Sequence, residues 1–234
     1  MTFFYDFNVA PNMEVIETLE DFKFKGACIF YNSRKYFEEK ENIEDKFNQL
    51  NESTALELYH GIVINETNPQ LLRKEVQRNY KKVDLIMANG GDEKVNRTIC
   101  ETPQIDILNQ PYLNQRNSGI NHVLSKLLVE NNITVNINYC DILKHRGYFK
   151  AKIINQINQL LMLQRKFKFR TLISSGSTSF YDVRSPKSMI LLSQLMDMDM
   201  DYGQKCISKH PEEIIENITI HKESIVEGVR IIKD

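Results

Sequence analysis

An α/β fold, with a predominantly parallel sheet wrapped in helices and either open or closed into a barrel, is predicted by three observations. Short β-rich runs alternate with helical patterns along most of the chain. Seven such runs are present, and no Pro/Gly/Ser-rich linker or internal repeat divides the 234 residues. Seven strand segments favour a barrel-like arrangement over a small two-layer domain. A single domain over residues 1–234 is expected, with the helical region from about residue 185 packed on it.

Thr2 to Phe7 reads as the first strand. Pro11-Asn12 turns the chain towards a helix carrying Val15, Ile16 and Leu19 on overlapping helical spacings. Ala27 to Tyr31 is the second strand, and a charged helical stretch follows through Leu50. Leu56 to Ile64 forms the third, and Asn68-Pro69 starts the next helix, because proline at the first helical position lacks only an N–H that would be unpaired there. Val83 to Met87 is the fourth, closed by the turn Asn89-Gly90-Gly91-Asp92. Ile105 to Leu108 is a short fifth. From Gly119 onward, Ile120, Val123, Leu124, Leu127 and Leu128 fall on one helix face, ended by Asn131-Asn132. Ile133, Val135 and Ile137 alternate with polar residues as the sixth strand, so one face should be more polar than the other. A long helix around Phe149, Ile153, Ile157, Leu160 and Leu161 leads to a seventh strand at Thr171 to Ser174. The remainder is helical through Met189 to Met196 and Ile214 to Ile218, with a terminal β segment at Val226 to Ile231.

Charge and composition narrow the function classes. The 41% hydrophobic and 26% charged residues are those of an ordered globular protein. Cys28, Cys100, Cys140 and Cys206 show no C-x-x-C spacing, which argues against a zinc ribbon or a disulfide scaffold. The opening Phe3-Phe4-Tyr5 is broken by Asp6 and Asn8, so a normal signal peptide is not expected, nor does any stretch supply the roughly 20 apolar residues of a membrane span. A cytoplasmic protein without membrane contact is the expectation. The net charge of -1 conceals polarity: Ile142 to Tyr181 holds no Asp or Glu but eight Lys and Arg, whereas Asp197 to Asp234 holds nine acidic residues against five Lys and Arg.

No residue is assigned a catalytic role. The five histidines form neither H-x-H nor H-E-x-x-H, and no nucleophile elbow or phosphate-binding loop with its following Lys is present. Asp6, His60, Asp92, His122 and Cys140 lie near strand ends where a barrel could gather a metal site; local hydrogen bonding and packing are the stronger explanation, and no metal ligand is assigned. Gly90 and Gly91 can turn backbone N–H groups towards an anion if Asp92 starts a helix, with Lys94 and Arg97 supplying charge; a plain turn before a solvated helix is the alternative. Ser175, Gly176 and Ser177, after the seventh strand, form a second anion-loop candidate whose hydroxyls can instead cap or satisfy one another. Ser185 and Pro186 read as a structural cap, with Arg184 just outside it.

Taken in order, these segments resemble a known family. They are Phe4-Tyr5-Asp6-Phe7-Asn8-Val9, Asn89-Gly90-Gly91-Asp92-Glu93-Lys94-Val95-Asn96-Arg97, Asp106-Ile107-Leu108, Gly119-Ile120-Asn121-His122-Val123-Leu124, Ile137-Asn138, Ser174-Ser175-Gly176-Ser177 and Tyr181-Asp182-Val183-Arg184-Ser185-Pro186-Lys187. The family is archaeal ribonuclease P protein component 3, the barrel-like subunit family shared with nuclear ribonuclease P and MRP. The resemblance implies a TIM-barrel-like fold distantly similar to metal-dependent phosphoesterases. Here Asn8 and Ala10 stand where those enzymes carry H-x-H. It further implies an RNA-catalysed, Mg2+-dependent removal of the 5′ leader from precursor tRNA. The chain would assist as one subunit, with ribonuclease P RNA and another small protein subunit as partners, and would itself hold no cofactor. Phosphate contacts for such a role ask for Arg and Lys, and Lys94, Arg97, Lys144, Arg146 and Arg184 are the RNA-facing candidates. A metal-dependent phosphoesterase of the same barrel class and a protein-binding module without RNA function are the alternatives.

Overall fold

The computed structural model describes residues 2–226 and 229–230. β1 (Tyr5–Val9) leads into α1 (Met13–Asp21), β2 (Gly26–Asn32) into α2 (Ser33–Glu38) and α3 (Lys40–Glu52), β3 (Glu57–Ile64) into α4 (Pro69–Asn79), and β4 (Leu85–Asn89) into α5 (Glu93–Cys100). β5 (Ile107–Asn109) precedes α6 (His122–Glu130); β6 (Thr134–Asn138) precedes α7 (Tyr139–Lys144) and the long α8 (Gly147–Phe167). After β7 (Thr171–Ser174) come a 3-10 turn at Phe180–Asp182, then α9 (Pro186–Ser193), α10 (Met200–Ile207), α11 (Lys209–Glu223) and the short antiparallel pair β8 (Ser224–Val226) and β9 (Val229–Arg230). Of the terminal β segment expected at 226–231, residues 227, 228 and 231 lie outside the described residues.

The seven strands pair in sequence order, every neighbour parallel. A single parallel bridge between Val9 and Ser177 brings the first and last edges together, so the sheet is a nearly closed barrel. Both faces of the strands are covered, as parallel sheets require, which is why β2 and β4 are apolar with little alternation. Inside the barrel, Tyr5, Phe7, Cys28, Phe30, Leu85, Met87, Ile107 and Leu172 form one apolar cluster. A Cβ on Gly61 would stand 2.4 Å from the Phe30 ring, so the absence of a side chain there makes room for that ring.

The helices enter in a repeated way. Asn12, Asn32, Asn68, Asp92, Asn121 and Ser185 each accept a hydrogen bond from a first-turn N–H of the helix they precede, satisfying donors that have no partner within the helix. Ser185 Oγ accepts from Ser188 N at 3.3 Å, with Pro186 at the first helical position. Ser185→Ala is expected to cost about 0.5–2 kcal/mol; a variant with an unshifted denaturation midpoint would refute the cap. The C-terminal helices close the other end of the barrel: Ile214 and Ile218 of α11 join the interior cluster, while His210 Nδ1 bonds Thr171 O at 2.7 Å and Glu213 pairs with Arg170 at 3.6 Å.

Two expectations need correction, on the first strand and on two helix faces. The first strand runs to Val9 and begins at Tyr5, not Thr2. Between β6 and the long helix lies a short helix, α7, that no periodicity in the sequence marked. β6 does have one face more polar than the other, and all five of its residues are buried. Val123 and Phe149, placed on apolar helix faces, are exposed.

Candidate nucleic-acid interface

The strand C-termini make a mouth lined with amides. Asn8 Nδ2 donates to Asn138 Oδ1 at 3.0 Å, and Asn136 Nδ2 lies 2.8, 2.9 and 2.9 Å from Asn138 Oδ1, Asn109 Oδ1 and Ser174 Oγ. Asn109 Nδ2 donates to Asn89 Oδ1 at 2.7 Å, and Asn89 in turn donates to Asn65. Neutral groups from β1, β4, β5, β6, β7 and the loop after β3 thus satisfy one another around the opening. Asn136 Oδ1 alone among these amide oxygens is buried without a partner among the described residues. Each amide follows or interrupts an apolar strand run, as in Ile64-Asn65, Ala88-Asn89, Leu108-Asn109 and Ile137-Asn138. That recurrence was the signal in the sequence that could have revealed the ring.

The metal-site candidates do not converge. Asp6 Oδ1 accepts from Ser175 N at 3.0 Å, and Asp92 caps α5. His60 is packed among Tyr31, Tyr36 and Phe47, with burial lowering its pKa. His122 is exposed at the start of α6, and burial pushes the Cys140 thiol up to about 11. Among the described residues no three His, Cys, Asp or Glu form a group that could hold a metal ion. A ring of neutral amides also lacks the anionic and imidazole donors that a multinuclear phosphoesterase centre needs, so the residues present do not fit such a centre. On the β6 side the buried Asp141 accepts from Tyr112 Oη and Gln110 Nε2, both at 2.7 Å; burial raises its pKa despite those donors.

Neither glycine-containing loop is an open anion cradle. Gly91 adopts φ +111°, a left-handed conformation that suits glycine, but its N–H donates to Asn96 Oδ1 at 3.1 Å and the Gly90 N–H to Asn109 O at 2.7 Å. The Asp92 carboxylate takes the Lys94 and Val95 amides, filling the place an anion would occupy at the α5 N-terminus. Ser175 and Ser177 are buried; their N–H groups go to Asp6 Oδ1 and Ser175 Oγ, and Gly176 lies against Asn138. These loops fasten the barrel.

The five cations fall into two groups. Lys94 and Arg97 stand exposed on α5, Arg97 paired with Glu101 at 3.0 Å. Lys144, Arg146 and Arg184 belong to the β6 and β7 exits. Lys144 Nζ reaches Asp182 at 3.2 Å, and the Arg184 guanidinium turns back to the carbonyls of Tyr181 and Val183 at 2.6 and 2.8 Å. Arg146 is exposed and has no side-chain partner among the described residues. The long loop after β5 separates the two groups. Among the described residues no helix is long and apolar enough to cross a membrane.

The family model described as RNase P subunit p30 matches residues 3–223. Ribonuclease P protein component 3 of Methanothermobacter thermautotrophicus is 29% identical over 236 residues, covering 99% of this chain and 96% of that protein. Its counterpart in Methanococcus maripaludis is 32% identical over 182 residues, 78% of this chain and 77% of that one. A chain in the cryo-EM structure of archaeal Ribonuclease P with mature tRNA superposes with a TM-score of 0.84 at 26% identity, with 98% of both chains covered. Histidinol phosphate phosphatase from Lactococcus lactis shares the fold alone, at TM-score 0.52 and 10% identity over 83% of this chain and 92% of that one. A family match running from Phe3 to Glu223, together with relatives matched along nearly their whole length, makes the chain a member of the RNase P subunit p30 family.

Proposed function

We propose that this chain is a protein subunit of the ribonuclease P ribonucleoprotein and assists RNA-catalysed, endonucleolytic removal of the 5′ leader from precursor tRNA. The observation that carries the reading is the superposition, over 98% of both chains, on a chain of archaeal Ribonuclease P with mature tRNA. The amide-lined mouth supports it, because a mouth of neutral groups supplies neither a nucleophile nor a metal-activated water. On this reading Mg2+ serves the RNA, the partners are ribonuclease P RNA and another small protein subunit, and the whole chain works as one unit in the cytoplasm.

Phosphate contacts fall to Lys94, Arg97, Lys144, Arg146 and Arg184. The ion pairs of Arg97 and Lys144 do not remove them from that set, since exposed pairs contribute only about 0–1 kcal/mol and yield to a phosphate. The test is reconstitution. Purified chain free of RNA leaves precursor tRNA intact, whereas adding it to the cognate RNA and partner subunit increases cleavage at the mature 5′ end. Correctly positioned cleavage by the RNA-free chain would overturn the reading.

Changing Lys144 and Arg146 together to Gln removes two positive charges. The slope of log affinity against log salt should become shallower by about 1.4 to 1.8, with the greatest weakening at low salt, where counterion release contributes most. A Lys166/Lys168 double replacement should do less. Wild-type affinity and slope in the Lys144/Arg146 variant would remove those two residues from the interface.

A further inference from the structure

Four aromatic side chains stand in water on the β6–β7 side of the rim. Tyr148 and Tyr181 are 77% and 74% exposed, Phe149 65% and Phe180 37%. Scattered exposed rings need no explanation, but two adjacent pairs held to one side of the molecule do. The Tyr148 and Phe149 centroids lie 5.8 Å apart, edge to face; those of Phe180 and Tyr181 lie 3.9 Å apart, tilted by 33°. The pairs come from distant stretches of chain, and the segments that carry them are joined through Lys144. It lies four residues before Tyr148, and its ammonium reaches Asp182, next to Tyr181, at 3.2 Å and Thr178 at 3.5 Å.

The surroundings of the rings are cationic. Arg146 and Lys150 flank the first pair and have no acidic partner among the described residues, and Arg184 is tied to the Tyr181 carbonyl at 2.6 Å. The nearby acids are already engaged: Asp182 by Lys144 and by the backbone and hydroxyl of Thr178, Asp141 by Tyr112 and Gln110 in the interior. An apolar protein surface would use the rings and leave the cations without counter-charges. Duplex nucleic acid would use the cations and leave the rings idle, because its base faces are hidden in the stack. Unpaired nucleotides supply both a phosphate and a free π-face.

We propose that this rim binds unpaired RNA nucleotides, whose bases stack on Tyr148 and Phe149 and on Phe180 and Tyr181 while Arg146, Lys150 and Arg184 hold the intervening phosphates. The assignment rests on the RNA-subunit reading above and adds to it the class of RNA recognised. Sequence preference at such a site is weak, since every base has a face to stack.

The chain contains no tryptophan, so Tyr148→Trp or Tyr181→Trp places a single indole reporter in the patch while keeping a stacking surface. Titrated with the cognate ribonuclease P RNA, each full-length Trp variant should bind like wild type with its fluorescence quenched. A single-stranded oligoribonucleotide should compete, and a duplex with the same number of phosphates should compete far less. Replacing Tyr148 and Tyr181 together by Ala should weaken RNA binding about tenfold or more at every salt concentration, with the salt slope unchanged. That combination separates stacking from the slope change expected of the Lys144/Arg146 variant. Unquenched indoles with wild-type affinity in the Ala variant would overturn the stacking site and leave the RNA-subunit reading intact. Loss of affinity for the small protein subunit alone would overturn it by assigning the rings to a protein interface. Failure of the wild-type chain to engage the RNA even in the assembled particle would overturn both readings.

Discussion

Replacing Asn96 by alanine is expected to lower the melting temperature by roughly 10 °C. This side chain is fully buried behind the mouth and serves two loops: it accepts from Gly91 N at 3.1 Å and donates to Pro111 O at 3.0 Å and Gly119 O at 2.8 Å. Truncation leaves three backbone groups without their amide partner, each costing about 1–3 kcal/mol if water cannot reach it. The sum spans about 3–9 kcal/mol, and its lower part, about 3–5 kcal/mol, corresponds to that shift at this chain length. Asn96→Asp provides the sharper comparison. It keeps the volume and the acceptor for Gly91 but turns an oxygen towards the two carbonyls, and should be as damaging as alanine. An Asp variant that melts with the wild type would show that the amide donor is dispensable.

Asp6→Asn should change how stability depends on pH. Asp6 is fully buried; its Oδ1 takes the Ser175 N–H, its Oδ2 is without a partner among the described residues, and burial pushes its pKa up to about 6 from an ordinary 3.8. A carboxyl with a raised folded pKa stabilises most below its unfolded value, and that contribution is lost as pH rises through about 6. The difference amounts to about 2.4 kcal/mol between pH 4 and pH 8, most of it lost below about pH 6. Asp106, which burial pushes up to about 7, acts in the same direction. Asparagine retains the acceptor for Ser175 and cannot ionise, although its NH2 then lacks a partner where Oδ2 stood. The variant should therefore compare worst with the wild type in acid, gain on it most between about pH 4 and pH 6, and level off above that. Urea midpoints at pH 4.5, 6 and 8 that run parallel for the two proteins would show that the carboxyl does not titrate as described.

The succession of strands and helices was legible because each strand is a compact apolar run and most helices begin at a recognisable cap, such as Asn12, Asn68, Asp92 and Ser185. α7 was not, since six residues are too few to establish a helical period. β6 was legible only in part. Its alternation is real, but period two says only that two faces differ, and here the polar face looks into the barrel. The same ambiguity hid the mouth: Asn89 beside Gly90 reads as a turn-former, and nothing local indicates that its amide joins Asn65 to Asn109. Gly90 and Gly91 were misleading for a related reason, because the acceptors of their N–H groups, Asn109 O and Asn96 Oδ1, become neighbours only when the loops pack. At the rim the charges could be counted from the sequence, but the partnership of Lys144 with Asp182, 38 residues away, could not.

The single bridge between Val9 and Ser177 also governs the timing of assembly. The bonds along that line join the first strand to residues near position 175, with 169 residues separating Asp6 from Ser175. On a growing polypeptide the outer edge of β1 must wait, its backbone groups unmatched, until most of the chain has been made, and closing so large a loop delays the event further. Once formed, the line holds few backbone bonds compared with the continuous ladder between β2 and β3. Hydrogen exchange should therefore begin at Ala10, whose amide donates across the join to Ser177 O, well before it reaches the amides of β2, and the barrel would breathe by parting along this line.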